Sequence, residues 1–457
     1  MFDSIIEMQR TVRVRTKCDV LVVGGGTAGV VAAIAAARNG ASTVLVERYG
    51  FLGGTMINGA TVLHSFFNLY KAFPEAGKKQ LVRGIPQEIV DRMIKAGGCP
   101  GHVEQQKGYD YDSVATCFDH EIFKHVILIM MEEAGVKLLL HTWMADTLMD
   151  GSTVKGIIME SKSGREAIIA KLVIDTTGDG DVAFKACPDS VRKYRDDIAM
   201  TFGMANINLN EAVKYLEEND MLSQLVYGNK GNDKDRVVRI SFNLYKCPDY
   251  KEFLESTGMW GPWTASVNEN ALTYINCTNV YKADGVDVEA MTEAEQQLRK
   301  QVAQMVKFLK NNIPGFERAY LSWTSVQIGV RLTRIVECEY DITSDDIENA
   351  VRFEDEVFLY GFHDCAPERI VKGGGAYGFP YRALVPRKLE NLLVAGRLIT
   401  SDWYAHMSTR NTVACMAQGQ AVGTAAALCI SRGITPRELN VKELQRILLK
   451  DSVYLGD

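Results

Sequence analysis

Residues 18–47 constrain the fold more than any other part of the chain, because they predict a strand, a glycine-rich turn, a helix and a second strand in direct succession. Residues 19–23 form an apolar, β-branched run that is typical of a strand buried on both faces. Residues 28–38 are rich in alanine and predict the helix, and residues 42–46 predict the second strand. A unit of this kind belongs to a parallel sheet.

The glycines of this unit predict a dinucleotide site. Gly24, Gly26 and Gly29 follow the first strand at G-x-G-x-x-G spacing. Gly24 permits a tight turn, Gly26 lets the backbone approach a pyrophosphate, and Gly29 lets the helix pack closely on the sheet. Glu47 lies at the end of the second strand, where a carboxylate accepts hydrogen bonds from ribose hydroxyls and repels the extra phosphate of NADP. The alternative is a glycine-rich turn that binds nothing.

Three stretches resemble one known family. Residues 47–54, ERYGFLGG, are similar to the E-R-x-G-x-L-G-G pattern of FAD-dependent oxidoreductases distantly related to the flavoproteins of fumarate reductase and succinate dehydrogenase. Residues 175–181, DTTGDGD, and residues 391–397, NLLVAGR, resemble two further segments of that family. The resemblance implies FAD as the cofactor. It also implies a Rossmann-like α/β domain, a parallel sheet with a β-meander, and an inserted α+β substrate domain.

The resemblance and the glycine-rich unit together imply a set of cofactor-binding residues along the whole chain. These are Gly24, Gly26, Thr27, Ala28, Gly29, Glu47, Arg48, Gly53, Gly54, Thr55, Thr177, Gly178, Asp179, Gly396, Arg397, Asn411 and Thr412. The last two begin a small-residue helix at residues 412–431, whose N-terminus we expect to point at the flavin ring.

The same reading divides the chain into domains. Residues 1–60, 112–186 and 367–457 form the predicted FAD-binding domain, and residues 61–111 an excursion near the flavin. The meander is predicted from alternating segments between residues 145 and 170, which are separated by turns at Asp150-Gly151 and Ser163-Gly164. Residues 187–366 lose the α/β pattern and gain aromatic strands, which indicates an inserted substrate or cap domain.

Substrate-binding candidates lie in the inserted domain. Arg331 and Arg334 occur in a segment, RLTRIVECEY, that resembles the family's R-x-T-R-x-[IV]-x-G-E-Y. Guanidinium groups recognise carboxylates through two parallel hydrogen bonds, so the pair suits an anionic substrate. The alternative is an ion-paired strand or helix end.

Acid–base candidates lie in residues 401–411, which join the last strand to the final helix and are expected to pass the flavin's reactive edge. His406 has an ordinary pKa nearest neutrality and is the first candidate for a general acid or base. Arg410 resembles the family's arginine before this helix, and we expect it to hold a substrate anion or the charge of the reduced flavin. Tyr404 and His64 are the further candidates. A bracing role for His406 is the alternative.

Composition limits the partners. The 457 residues are 47% hydrophobic and 24% charged, and the net charge of −6 argues against nucleic acid. The longest apolar stretches, such as residues 126–131 and 425–430, fall short of the ~20 residues that cross a bilayer. Ten scattered cysteines fit a reducing, cytoplasmic location. Cys365, beside His363 and Asp364, lacks a second ligand cluster, so no metal is expected.

The sequence therefore predicts an FAD-dependent oxidoreductase that exchanges a hydride between flavin and a carbon of a small organic substrate, with acids among the candidates. The electron donor or acceptor is open, and either a monomer or a homo-oligomer is compatible with the sequence. Two alternatives are an RNA-modifying flavoprotein, for which no basic surface is evident, and a flavin- or nucleotide-binding protein without catalysis.

Overall fold

The computed structural model describes residues 10–58, 62–230, 233–266 and 268–456. Its largest sheet, which we call the dinucleotide sheet, has seven strands. Its order is Lys137–Leu139, Thr43–Val46, Arg13–Val23, Gly164–Asp175, Thr153–Ser161 and Trp143–Asp150, and Leu392–Val394 also pairs with Gly164–Asp175. Strand Arg13–Val23 runs parallel to both of its neighbours. The last three strands of the order are antiparallel to one another. The predicted parallel sheet with a β-meander is confirmed.

Two helices rich in small residues cover this sheet. Helix Thr27–Arg38 follows the first strand, and helix Thr412–Arg432 packs against it along its length. The close approach requires glycine, because a Cβ at Gly419 would lie 2.3 Å from the carbonyl oxygen of Ala28 and one at Gly423 would lie 2.2 Å from that of Ala32. Backbone therefore packs on backbone beside the parallel strands.

Among the helices of the described ranges, one is long and apolar enough to cross a membrane when judged by length and composition: helix Thr412–Arg432. The prediction that no stretch reaches that length was wrong, since the helix has a mean hydropathy of 1.4 although Gln418, Gln420 and Thr424 interrupt its apolar runs. In the folded protein, 94% of its most apolar window is buried. It is therefore a core helix of the protein.

A second sheet, which we call the cap sheet, has six antiparallel strands. Their order is Leu222–Lys230, Asp233–Phe242, Trp263–Ala265, Ala271–Asn276, Phe202–Ala205 and Tyr320–Thr324. Helix Val288–Asn312 buries its apolar face in a hydrophobic core with this sheet, and that core contains residues 198–330 only.

The domain boundaries stay a prediction, but the packing bears on one of them. Residues 336–362, which the sequence places in the inserted domain, pack into the core of the dinucleotide sheet. The cap sheet and its core therefore occupy a shorter stretch of chain than residues 187–366.

The remaining elements connect these two units. The other helices are Ile85–Lys95, His120–Ala134, Asp181–Ala186, Leu209–Glu218, Tyr250–Thr257, Ser344–Glu348, Trp403–Thr409 and Val441–Lys450. The short 3₁₀ helices are Gly54–Met56, Pro74–Ala76, Pro188–Ser190, Leu244–Lys246, Lys372–Gly374, Tyr381–Leu384 and Pro436–Glu438. The small sheets pair Val62–His64 and Val103–Glu104 with Val114–Cys117, Val280–Ala283 and Gly329–Val330 with Asp196–Ala199, Val191–Lys193 with Arg334–Val336, and Glu356–Tyr360 with Tyr377–Pro380.

Candidate functional site

A cavity of about 790 Å³ is lined by residues from both the dinucleotide sheet side and the cap sheet. Its volume is within the range of cofactor and ligand sites. All the predicted cofactor residues line it except Gly29 and Gly53. Their individual roles stay predictions, but the fold does bring residues from positions 24 to 412 to one cavity.

The three glycines of the first turn differ in what surrounds them. Gly24 has a φ of +100°, and a Cβ there would lie 2.6 Å from the carbonyl oxygen of Thr176. A Cβ at Gly29 would lie 1.9 Å from the carbonyl oxygen of Gly24. A Cβ at Gly26, which lines the cavity, would meet nothing nearer than 4.0 Å. Gly24 and Gly29 thus maintain the fold, whereas Gly26 leaves space in the cavity.

Glu47 organises the turn and also lines the cavity. The backbone N–H of Gly25 donates to its Oε2 at 2.7 Å, and that of Tyr49 donates to its Oε1 at 2.9 Å. Burial raises the pKa of Glu47, and these two hydrogen bonds partly offset that effect. The carboxylate thus connects the ends of the two strands from which the turn projects.

The acidic turn at residues 175–181 is held by arginine. Asp179 lines the cavity and forms an ion pair with Arg397 over 2.6 Å. It also accepts a hydrogen bond from the hydroxyl of Thr333 at 2.7 Å. Burial would raise the pKa of Asp179, but Arg397 and Thr333 lower it below its ordinary value. The turn is therefore charged and fixed on the cavity wall.

The lining fits FAD in two physical respects. Helices Thr27–Arg38 and Thr412–Arg432 begin at the cavity without a side-chain cap and without an acidic residue in the first turn. Their first N–H groups are thus available to an anionic or electron-rich ligand. Asn58 is 4% exposed and lines the cavity, and both polar atoms of its side-chain amide lack a partner among the described residues. A polar ligand would satisfy these groups.

His64 lines the cavity with a carboxylate behind it. Its Nδ1 lies 2.9 Å from Oδ2 of Asp112, which is fully buried and also accepts from the hydroxyl of Ser65 at 2.8 Å. The imidazole stacks on Phe362, with ring centroids 5.0 Å apart and planes inclined by 7°. The carboxylate fixes the tautomer and the stacking fixes the plane of the ring.

A second buried network lies on the same wall. Asp364 forms an ion pair with Arg410 and accepts a hydrogen bond from the hydroxyl of Tyr111 at 2.7 Å. Burial would raise the pKa of Asp364, but Arg410 and Tyr111 lower it below its ordinary value. Sequence reasoning considered Asp364 only as a metal ligand, because its partners are distant in the chain. The described residues contain no group of three or more His, Cys, Asp or Glu that could hold a metal.

The predicted arginine pair is split. Arg331 lines the cavity, donates to the backbone oxygen of Asp197 at 3.1 Å and lies over Trp260. Arg334 does not line the cavity, because its guanidinium binds Asp181 at 2.9 Å and lies over the ring of Phe184. The geometry of Arg334 therefore fits the alternative of an ion-paired strand end, and its binding of substrate stays a prediction without support from the cavity.

Two predicted acid–base residues lie away from the cavity. His406 is fully buried with its Nε2 3.1 Å from the backbone oxygen of Arg331, and burial together with the charge of Arg410 lowers its pKa to about 3. Tyr404 is 41% exposed, and Arg369 lies over its ring. Helix Trp403–Thr409 turns both side chains from the cavity wall. The bracing alternative for His406 fits this geometry.

Sequence reasoning also missed residues of the cap sheet. Arg239, Trp263, Tyr274 and Asn276 line the cavity from three of its strands. A strand pattern alone does not tell which of its two faces covers a ligand site.

The fold and the cavity define an α/β dinucleotide-binding protein in which a second unit covers the site. The chain belongs to the FAD-dependent oxidoreductases, since the family described as FAD dependent oxidoreductase matches residues 19–448. It is accordingly an enzyme with FAD as its cofactor.

Curated relatives match part of the chain. A digeranylgeranylglycerophospholipid reductase of Methanoculleus marisnigri is 27% identical over 179 residues, which are 39% of this chain and 43% of the relative. A dihydrolipoyl dehydrogenase of Trypanosoma brucei brucei is 30% identical over 177 residues, which are 37% of this chain and 32% of the relative. The chain thus spans less than half of the length of these relatives.

Solved structures are similar over most of the chain. A geranylgeranyl bacteriochlorophyll reductase-like protein from Thermoplasma acidophilum has 12% identity and a TM-score of 0.49, covering 96% of this chain and 84% of its own. A myxobacterial chondrochloren halogenase has 11% identity and a TM-score of 0.49, covering 95% and 78%. Similarity at this level supports no statement about the reaction.

Proposed function

We propose that this enzyme exchanges a hydride between FAD and a carbon of a small organic substrate, with His64 moving the accompanying proton. FAD supplies the hydride acceptor or donor. The observation that carries the proposal is that His64, backed by Asp112, lines the same cavity as the glycine-rich turn. Breaking or forming a C–H bond usually requires a proton to move as well, so a positioned acid or base belongs in such a site.

The geometry suits a general base. Because the carboxylate of Asp112 accepts a hydrogen bond from Nδ1, the neutral imidazole of His64 carries its hydrogen on Nδ1 and keeps a lone pair on Nε2. Nε2 then takes a proton from a substrate oxygen or carbon, or returns it in the reverse direction. The buried carboxylate of Asp112 stabilises the imidazolium that forms.

The arginines of the cavity hold the substrate in this proposal. Arg331 and Arg410 line the wall that also contains Asp364, and they supply donors for an anionic group. Tyr111 contacts His64 edge to face with ring centroids 5.4 Å apart, so the acid–base and anion-binding groups are adjacent. Orientation of the reacting carbon relative to Nε2 follows from this adjacency.

The cofactor assignment of single residues belongs to the proposal. The helix start at Gly26 and Thr27 suits the pyrophosphate, Glu47 the ribose, and the start of helix Thr412–Arg432 the flavin ring. The motifs at residues 47–54 and 175–181 support a distant relationship to the flavoproteins of fumarate reductase and succinate dehydrogenase. A cytoplasmic location is proposed from the ten scattered cysteines, which contain no C-x-x-C pair.

The two alternatives have less support. An RNA-modifying flavoprotein needs a basic surface, whereas the net charge is −6. A flavin-binding protein without catalysis has no use for a histidine–carboxylate pair facing the cofactor cavity. The two curated relatives described above are a reductase and a dehydrogenase, which supports redox chemistry.

The test is the variant His64→Gln with its FAD content verified by absorbance. A panel of small organic acids, alcohols and amines first identifies a compound that reduces the flavin of the wild-type enzyme without oxygen. We expect the rate of flavin reduction to fall by about 10²-fold or more, because a general acid or base has been removed. His125→Gln, an exposed histidine on helix His120–Ala134, is the matched control. A near-normal rate in His64→Gln would remove His64 from the mechanism.

A further inference from the structure

Arg239 on the cap sheet is a buried charge without a counter-charge. Arg239 is 2% exposed, and its Nε and Nη1 atoms have no hydrogen-bond partner among the described residues. No Asp or Glu carboxylate of the described chain lies within ion-pair distance of it. A buried guanidinium in this state costs stability unless something pairs with it.

Strand register places Arg239 over the cavity. Ser241 pairs with Trp263, and Trp263 pairs with Asn276. Paired residues and residues two apart share one face of an antiparallel sheet, so Arg239, Trp263, Asn276 and Tyr274 lie on the same face. These four residues line the cavity, whereas Ser241, which lies on the same face, donates its hydroxyl to Gln224. The unpaired guanidinium is therefore part of the roof of the substrate region.

The surrounding charges favour an anion. Arg331 makes no ion pair within the described residues and bonds only a backbone oxygen. Burial lowers the pKa of Arg331, and the positive charge of Arg410 lowers it further. Burial raises the pKa of Tyr274 to about 12, and Arg331, Asn276 and Arg239 partly offset that effect. Tyr274 thus lies within range of both unpaired arginines, which concentrates positive charge at this end of the cavity.

Further polar atoms at this end lack partners. Nε1 of Trp260 and Oδ1 of Asn276 are buried, line the cavity and have no hydrogen-bond partner in the described part of the chain. The rings of Trp263 and Tyr111 have centroids 5.6 Å apart on the same wall. The region therefore combines an unpaired cation, one N–H donor and one carbonyl acceptor with flat aromatic surfaces.

We propose that Arg239 binds the carboxylate of the substrate, and that this substrate is an organic acid whose planar or apolar part lies against Trp263 and Tyr274. The inference rests on the proposed function and names its substrate class. Nε and Nη1 of Arg239 lack partners, and each is a charged donor from which a carboxylate oxygen can accept a hydrogen bond. Trp260 Nε1 is a further donor within the cavity.

The test uses the FAD-loaded enzyme and the variant Arg239→Met, which removes the charge and keeps an unbranched chain. Benzoate is the probe, benzamide is its neutral counterpart, and inorganic phosphate is the alternative anion. Binding is measured from the change in the flavin absorption spectrum. We expect the dissociation constant for benzoate to rise at least about tenfold in Arg239→Met, because a charge-assisted hydrogen-bonded pair is lost. Arg318→Met, an exposed arginine beside the cap sheet, should bind benzoate like the wild type.

Stability separates ligand binding from a structural role. If Arg239 serves the substrate, Arg239→Met keeps its FAD content and melts at the same or a higher temperature, since an unpaired buried charge has been removed. A lower melting temperature or a loss of FAD would overturn the proposal in favour of a structural or cofactor-binding role. This outcome differs from a failure of the proposed function, in which no compound of the panel would reduce the flavin of the wild-type enzyme.

Other results also decide the matter. Equal binding of benzoate by wild type and variant, equal binding of benzoate and benzamide, or no benzoate binding to the wild type at millimolar concentration would each overturn it. If inorganic phosphate binds more tightly than benzoate and its binding also depends on Arg239, the group bound by Arg239 is a phosphoryl group and the carboxylate proposal is overturned. The proposal is supported if Arg239→Met binds benzoate more weakly than the wild type does, while Arg318→Met binds it equally well and benzamide binding does not change.

Discussion

His64 and His406 have the same side chain, and their surroundings give them opposite properties. His406 is fully buried next to Arg410, and burial with that charge lowers its pKa to about 3. It therefore stays neutral at ordinary pH and has no path to a substrate in the cavity. His64 lies on the cavity wall with Asp112 on its far side. At the scale of residues, access to the cavity distinguishes the two histidines and makes His64 the candidate for acid–base chemistry.

Asp175 gives a prediction about pH at the same scale. Burial raises its pKa from 3.8 to about 6, despite hydrogen bonds from Thr177 and Ala183. The folded state thus keeps a proton that the unfolded state releases, so the carboxyl's contribution to stability is present below pH 4 and is lost as pH rises through 6. We expect the unfolding free energy of wild type minus that of Asp175→Asn to fall by about 1 kcal/mol from about pH 5 to 7.

Chemical denaturation of both proteins at a series of pH values measures this difference in the free energy of unfolding. Any constant cost of the asparagine at this site cancels, because only the dependence on pH is compared. The exposed Asp150→Asn provides the control for general effects of pH. A difference that is independent of pH would contradict a raised pKa for Asp175.

At the scale of elements, one turn separates binding from packing within four residues. Gly29 lies where the helix meets the turn, and a Cβ there would lie 1.9 Å from a backbone oxygen. Gly26 has open space in the cavity instead. The same motif thus contains one glycine that the fold requires and one at which the fold has room for a side chain.

This difference predicts opposite outcomes for two matched variants. Gly26→Val should fold with a near-normal melting temperature as apoprotein and lose most of its FAD, because the side chain fills the space of the pyrophosphate. Gly29→Val should lower the free energy of unfolding by at least about 2 kcal/mol through overpacking. Circular dichroism melts and flavin absorbance measure the two effects. Full FAD content in Gly26→Val would remove this turn from the cofactor site.

At the scale of the whole molecule, the cavity lies between two hydrophobic cores. Polar contacts connect its two sides: the hydroxyl of Thr201 donates to the backbone oxygen of Asn58 at 2.6 Å, and Arg48 bonds Gln327 at 3.1 Å. Thr333 on the cap side bonds Asp179 at 2.7 Å. A ligand that contacts both sides therefore adds to the association of the two units.

FAD should accordingly stabilise the entire protein. A ligand that binds only the folded state adds about 2.7 kcal/mol at a free concentration about 100 times its dissociation constant. We expect the melting temperature of the apoprotein to rise steadily with added FAD, as followed by calorimetry. Gly26→Val should show no such rise. A melting temperature that does not respond to FAD in the wild type would mean that the cofactor does not bind the folded cavity.

Local rules predicted the dinucleotide unit, because a strand, its glycine turn and its helix follow from neighbouring residues. The meander and the second glycine pair followed in the same way. The two buried networks on the cavity wall did not, because their partners are distant: His64 and Asp112 are 48 residues apart, and Tyr111 and Asp364 are 253 apart. Likewise, the face of the cap sheet that carries Arg239 is set by strand pairing across the cap. Contacts between distant segments depend on the whole fold, so only the tertiary structure shows which charged groups meet and which are left without a partner.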